Sequence, residues 1–283
     1  MENRKFAVLI LSHGRADHMY TLDTLHECGY TGDWYIVVDN EDSTVPHYVE
    51  KFGEDHIIIF DKAEAAKKND TCDIVKSKQI VLHARNECFR IASELGLTHF
   101  LELDDDYVEF RTRYEDGDKL RAHKIKHIDD VIEAYLDFLD TSGALTIAWA
   151  QGGDFIGGIG AYIWRHKYKR KAMNAFFCRT DRPFYFMGRI NEDVNMYCTY
   201  GQRGYLILTT SDVVLNQVTT QANASGLTDV YLELGTYVKS FYTVITNPNC
   251  SKIMAMVTSN TRIHHMIQWE YCCPKIISDR FKK

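Results

Sequence analysis

The chain has 283 residues, 45% hydrophobic and 25% charged. It is long enough to bury a sizeable core and has the composition of a folded globular protein, which excludes a disordered or low-complexity chain. Its net charge of -6 gives no global attraction to nucleic acid, so a polyanionic partner requires a local basic patch.

The N-terminus is charged and leads into about six apolar residues, too few for a signal-peptide core or a membrane helix. The chain therefore reads as cytoplasmic, with no membrane partner. Short apolar runs at 6–11, 34–38, 56–60 and 99–103 are strands of the kind that fill a parallel sheet covered on both faces. Helical spacing of apolar residues falls between them, at 17–28, 46–52 and 77–95. This order predicts an α/β fold, a doubly wound and mostly parallel sheet whose ligands sit beyond the carboxyl ends of the strands.

The second half is less regular. Residues 111–127 read as a charged loop and 129–139 as a helix. The glycine-rich segment 151–160 suits either close approach to a ligand or a bulged strand or loop. Strands are expected at 175–179, 184–187 and 205–210, with helices at 192–200 and 229–244, the latter ending near Pro248. No repeat or proline-rich linker divides the chain, so 1–283 reads as a single domain with a C-terminal elaboration. The eight cysteines lack paired C-x-x-C spacing, which argues against a zinc ribbon or a disulfide framework and for free buried thiols.

Chemistry concentrates at strand ends. The apolar run 99–103 stops at Asp104, Asp105 and Asp106. Adjacent carboxylates repel, and such a cluster is favourable when a hard divalent ion such as Mn²⁺ or Mg²⁺ neutralises it. Bound there, the ion would stabilise the diphosphate that leaves when a nucleotide-sugar gives up its sugar. Ser12, Gly14 and Arg15 follow the first strand, and Asp39 follows the second, as a hydrogen-bond acceptor for a base or ribose or as a helix cap.

The combination of Ala84-Arg85-Asn86 in a helix, an apolar strand and then Asp-x-Asp resembles the family 2-like GT-A glycosyltransferases. The resemblance implies donor-binding roles for Ser12, Gly14, Arg15, Asp39, Arg85, Asn86, Asp104 and Asp105, with Asp104 on the ribose and Asp106 on the metal; Asp104 is also a candidate metal ligand. Asn191-Glu192-Asp193 resembles the family's Glu-Asp acceptor motif, which implies a general base, Asp193 first and Glu192 as the alternative. By position alone the same residues also suit a helix N-terminus. A late histidine often completes the metal site in such enzymes, which implies His264 or His265.

The C-terminal third, with Thr220 to Gly226, Thr228 to Tyr231, Gly235 to Ser240 and Asn247-Pro248, resembles the TET-associated glycosyltransferase family of phages. Ser225-Gly226 departs from the pattern of two glycines. That family implies a nucleotide-sugar donor, such as a UDP-sugar, and an acceptor that is a hydroxymethylated pyrimidine in DNA or a sugar already on it. The basic patch then acquires a purpose: Arg165, Lys167, Lys169, Arg170 and Lys171 place five cations within seven residues. Extended, Arg165, Lys167, Lys169 and Lys171 would form one row along a phosphate backbone. Trp164 or Tyr168 would suit stacking on a flipped base, and both equally suit a core. A glycosyltransferase acting on protein, lipid or polysaccharide shares every core motif. A nucleotidyltransferase would usually carry a richer glycine loop after the first strand than Ser12-His-Gly-Arg15, and a non-catalytic module leaves the carboxylates without a role.

Overall fold

A computed structural model describes residues 4–75, 77–78, 80–173, 175–218, 238–257 and 261–272. The four apolar runs of the first half are strands β1 (Phe6–Leu11), β2 (Asp33–Asp39), β3 (Ile57–Phe60) and β4 (His99–Asp104). They pair in parallel in the order β3-β2-β1-β4. Between them lie helices α1 (Tyr20–Glu27), α2 (Val45–Phe52), α3 (Lys62–Lys68) and α4 (Leu82–Glu94). Alternation along a strand explains why both faces need cover: Ala7, Leu9 and Leu11 join one apolar core, and Val8 and Ile10 join the other. Helix α4 packs on the first face, while α1, α2 and α5 (Ile128–Ser142) pack on the second.

The sheet continues past β4 through β9 (Ala175–Arg179), β7 (Thr146–Gln151), β10 (Ile207–Gln217), β5 (Tyr107–Asp116) and β6 (Lys119–Lys124), with β8 (Tyr168–Lys169) attached to β10. Strand β9 runs antiparallel to β4, and the whole is a mixed sheet with a doubly wound parallel half. Residues 111–127, expected as a loop, instead supply most of the β5–β6 hairpin. Charge misled the sequence reading here, because an edge hairpin turns its charged side chains to solvent and tolerates them. The helix expected from residue 77 begins only at Leu82, and the one expected from 17 opens with a short 3-10 turn before Tyr20.

Residues 184–187 are not a strand. Phe184 and Phe186 are buried in the core, which accounts for the apolar pattern, but the segment's backbone pairs with a side chain: Phe186 N–H donates to Asn86 Oδ1 at 2.7 Å, and Asn86 Nδ2 donates to Phe186 O at 3.0 Å. The glycine-rich segment forms two 3-10 turns, Gly152–Phe155 and Gly158–Gly160, with Gly157 at φ +99°. After α6 (Tyr162–His166), helix α7 (Glu192–Gln202) packs beside α4 on the same face. The helix expected at 229–244 is described from Val238 to Thr246 as α8; the motif residues 220–231 and 235–237 lie outside the described residues. Strands β11 (Ser251–Val257) and β12 (Thr261–Ile267) form a separate two-stranded sheet. Among the described residues, no helix is long and apolar enough to cross a membrane.

Candidate active site

Strand β4 carries the acidic triplet to the crevice, and the three carboxylates face three environments. Asp105 turns into the protein, accepting from Ser12 Oγ at 2.6 Å and from Arg15 Nη1 at 2.8 Å. It is 3% exposed, and its bond from Ser12 ties the loop after β1 to the triplet at the cavity that both residues line. Asp104 accepts from Arg85 Nη2 on both oxygens, at 2.9 and 3.1 Å. Among the described residues, no cation pairs with Asp106 at such distance. Burial, then repulsion from Asp104 and Asp105, pushes its carboxyl up to about 7 against a weaker pull from Arg15. Carboxylate oxygens crowded until one holds its proton are a fitting donor set for a hard divalent ion.

Arg85 shows how α4 and α7 are joined across the crevice. Buried in α4, it donates from Nη1 to Glu102 Oε1 at 2.7 Å and from Nε to Glu192 Oε1 at 3.2 Å, besides its contacts to Asp104. Phe176 and Phe186 flank its guanidinium at 5.4 and 5.7 Å. A fork of five donors suits three carboxylates where an ammonium would not. Removing it leaves buried anions without a counter-charge, so Arg85→Met is expected to lower stability by about 3–5 kcal/mol. Arg85→Lys should recover only part of that loss, and urea unfolding of the two variants checks both statements. Beside Arg85, Asn86 has its amide occupied by Phe186 and Asn69.

At the β1 and β2 ends, Asp39 accepts from Lys62 Nζ at 3.2 Å and pairs with His13 Nδ1 at 2.7 Å. Burial alone would raise its carboxyl, but His13 and Lys62 hold it below the usual range; the same pairing raises His13. Asp39 does not cap α2, whose N-cap is Thr44. Gly14, at φ +68°, donates its N–H to Asp42 at 2.7 Å and shapes the loop. Lys62 escaped the sequence reading because it becomes notable only beside Asp39.

Glu192 and Asp193 open α7, both buried. Burial raises both carboxyls; next in order, Asp193 raises Glu192, while the Val194 N–H bond lowers Asp193. Asn191 precedes them in the left-handed region at φ 58°, which asparagine tolerates better than most residues. Its Nδ2 donates to Lys239 O at 2.7 Å and lies 3.4 Å from His265 Nδ1, linking the start of α7 to α8 and β12. His264 and His265 both line the crevice, with ring centroids 4.4 Å apart. Burial lowers both imidazoles, His265 to about 4, so each is neutral at pH 7 and able to ligate.

The crevice is a cavity of about 1580 Å³, lined by Asp39, Arg85, the triplet, Glu192 and Asp193, and also by Lys169, Arg170 and Lys171. That corrects the reading of the basic run as an extended row. Arg165 lies in α6, Lys167 turns at φ 57° with its Nζ 3.3 Å from the Trp164 ring centroid, and only Tyr168–Lys169 is extended. Lys169 and Lys171 instead converge on Asp154 at 2.6 and 3.0 Å. A partly buried carboxylate recruits these cations, and sequence spacing carried no sign of it. Trp164 is buried, whereas Tyr168 is half exposed and lines the cavity.

A parallel β3-β2-β1-β4 half, an acidic triplet at the end of β4 and a carboxylate pair opening a helix across the crevice define a GT-A glycosyltransferase fold. The sequence profile of the TET-associated glycosyltransferases matches residues 6–226, and the chain belongs to that family. Among solved structures it is similar to a mannosyltransferase, PcManGT from Pyrobaculum calidifontis in complex with GDP-Man and Mn²⁺, at TM-score 0.50 and 14% identity, covering 78% of this chain and 59% of that one. It is also similar to glucosyl-3-phosphoglycerate synthase from Mycobacterium tuberculosis in complex with Mg²⁺ and UDP, at TM-score 0.50 and 8% identity, covering 94% and 88%. These identities speak for the fold alone. No curated protein sequence matches the chain.

Proposed function

We propose that this glycosyltransferase moves a sugar from a nucleotide-sugar, a UDP-sugar in the first instance, onto a hydroxymethylated pyrimidine of phage DNA or onto a sugar already attached there. The observation that carries the reading is one cavity in a member of this family that joins the acidic triplet, the carboxylate pair and a basic strip. Residues 1–110 supply the donor side and 111–283 the acceptor side. Asp106 and Asp104, with His264 or His265, would hold Mn²⁺ or Mg²⁺, which when bound neutralises the departing diphosphate. Asp39, His13 and Lys62 receive the base and ribose. Asp193 takes the proton from the acceptor hydroxyl, because Glu192 is already engaged by the Arg85 guanidinium whereas Asp193 accepts from the backbone N–H of Val194. A carboxylate raised toward neutrality is the better base at physiological pH.

Tyr168, Lys169, Arg170 and Lys171 form the cavity wall at which a polyanionic acceptor would enter. Mass spectrometry of nucleosides from hydroxymethylated DNA, incubated with the enzyme and a panel of nucleotide-sugars, should reveal a sugar adduct. Labelling of a peptide or glycan with unmodified DNA would overturn the acceptor assignment. Arg165→Ala/Arg170→Ala should weaken DNA binding regardless of sequence and flatten its salt dependence by about two units of slope if both contact phosphate. Donor hydrolysis without acceptor should persist in that variant. Lys169→Ala/Lys171→Ala should depress hydrolysis as well, since it strips Asp154 of its partners at the donor cavity.

A further inference from the structure

Away from the crevice, three thiols that are remote in sequence meet. Cys198 lies in α7, Cys250 immediately precedes β11, and Cys272 follows β12. Their sulfurs all fall within 4.8 Å of one another, and Cys198 Sγ stands 3.8 Å from Cys272 Sγ. All three residues are buried. A Zn–S bond of about 2.3 Å gives a tetrahedron whose S···S edge is roughly 3.8 Å, so the spacing suits three thiolates on one ion. Gln202 Nε2 reaches Cys250 Sγ at 3.4 Å, the kind of outer donor that steadies a metal-bound thiolate.

The surroundings supply an independent reason for a staple. Strands β11 and β12 form a two-stranded sheet separate from the main sheet, and β12 is mostly exposed or half-exposed along its length. Such a hairpin is marginal by itself in water. Cys250 and Cys272 stand at its two ends, where Gln268 N–H donates to Cys250 O at 2.7 Å, and Cys198 anchors them to the helix that begins with Glu192 and Asp193. The hairpin in turn carries His264 and His265 to the cavity.

We propose that Cys198, Cys250 and Cys272 bind one structural zinc ion, which clamps the β11–β12 hairpin onto α7 and so fixes His264 and His265 opposite the carboxylate pair. Each thiol loses its proton to solvent on binding, and the fourth tetrahedral position falls to a small donor such as water. Burial closes the site to substrate, which distinguishes it from the oxygen-rich site at Asp106.

Full-length, tag-free protein from zinc-supplemented cells, dialysed against EDTA-free buffer, should carry about one zinc per chain by mass spectrometry of the metal. Asp106→Ala should retain it, and Cys198→Ser, Cys250→Ser and Cys272→Ser should each lose it. Co²⁺ exchanged into the wild-type protein should give intense thiolate-to-metal charge-transfer absorption, and removal of the ion should lower the melting temperature. The Co²⁺ spectrum of the wild type decides the matter even if a serine variant fails to fold. Zinc-replete protein that holds no zinc and shows no thiolate charge transfer with Co²⁺ would overturn the proposal. So would zinc lost in Asp106→Ala but kept in the cysteine variants, or a Cys198–Cys272 disulfide found by peptide mapping of protein kept reduced.

Discussion

Asp193→Asn is expected to leave the fold and donor affinity intact while lowering turnover by about two to four powers of ten, the usual worth of a positioned general base. The substitution keeps the shape and the hydrogen-bond acceptor that receives Val194 N–H at 2.7 Å. It removes only basicity. Because burial raises the Asp193 carboxyl, the acid limb of the wild-type pH–rate profile should lie above the ordinary aspartate range near ~4, and that limb should vanish in the variant. Single-turnover kinetics with saturating donor measure the step. Normal turnover in Asp193→Asn together with a dead Glu192→Gln would transfer the role to Glu192, whose bond to Arg85 would then have to break in the reacting complex.

Asp106→Ala should reduce turnover by about a hundredfold or more, equivalent to roughly 2.7 kcal/mol of transition-state stabilisation lost with the metal. Its effect on stability should have the opposite sign. In the folded protein the Asp106 carboxyl is pushed up to about 7 by burial and by Asp104 and Asp105, whereas in the unfolded chain it titrates near ~4. The folded state therefore holds a proton that the unfolded state has released between those values, and stability falls as pH rises through that window. Above it the wild type carries a crowded anion that the variant lacks, so metal-free Asp106→Ala should melt higher than metal-free wild type at pH 8. Adding Mn²⁺ with UDP should raise the wild-type melting temperature and leave the variant's unchanged at that site. Undiminished transfer by Asp106→Ala, or by wild type in excess chelator, would remove the triplet from the mechanism.

Local pattern determined the frame of this protein. An apolar run ending in Asp104 is legible because strand and loop chemistry change over one residue, and the alternating runs of the first half dictate covered parallel strands. The helix after Asn191 was legible for the same reason, as carboxylates followed by helical spacing. Tertiary structure alone decided which polar groups face one another. Arg85 meets Glu192 across 107 positions of sequence and Asn86 meets Phe186 across 100, and no local signal encodes either pairing. Partly buried Asp154 likewise draws Lys169 and Lys171 out of the expected extended row and into the cavity wall. The cysteines lack any metal-binding spacing because their neighbours come from α7 and from the two ends of a hairpin, 74 positions apart for Cys198 and Cys272. Sequence periodicity reports which face of an element is buried, but the identity of the partner on that face is set by chain crossings, where the cost of burying a charge or polar group without a partner selects the arrangement.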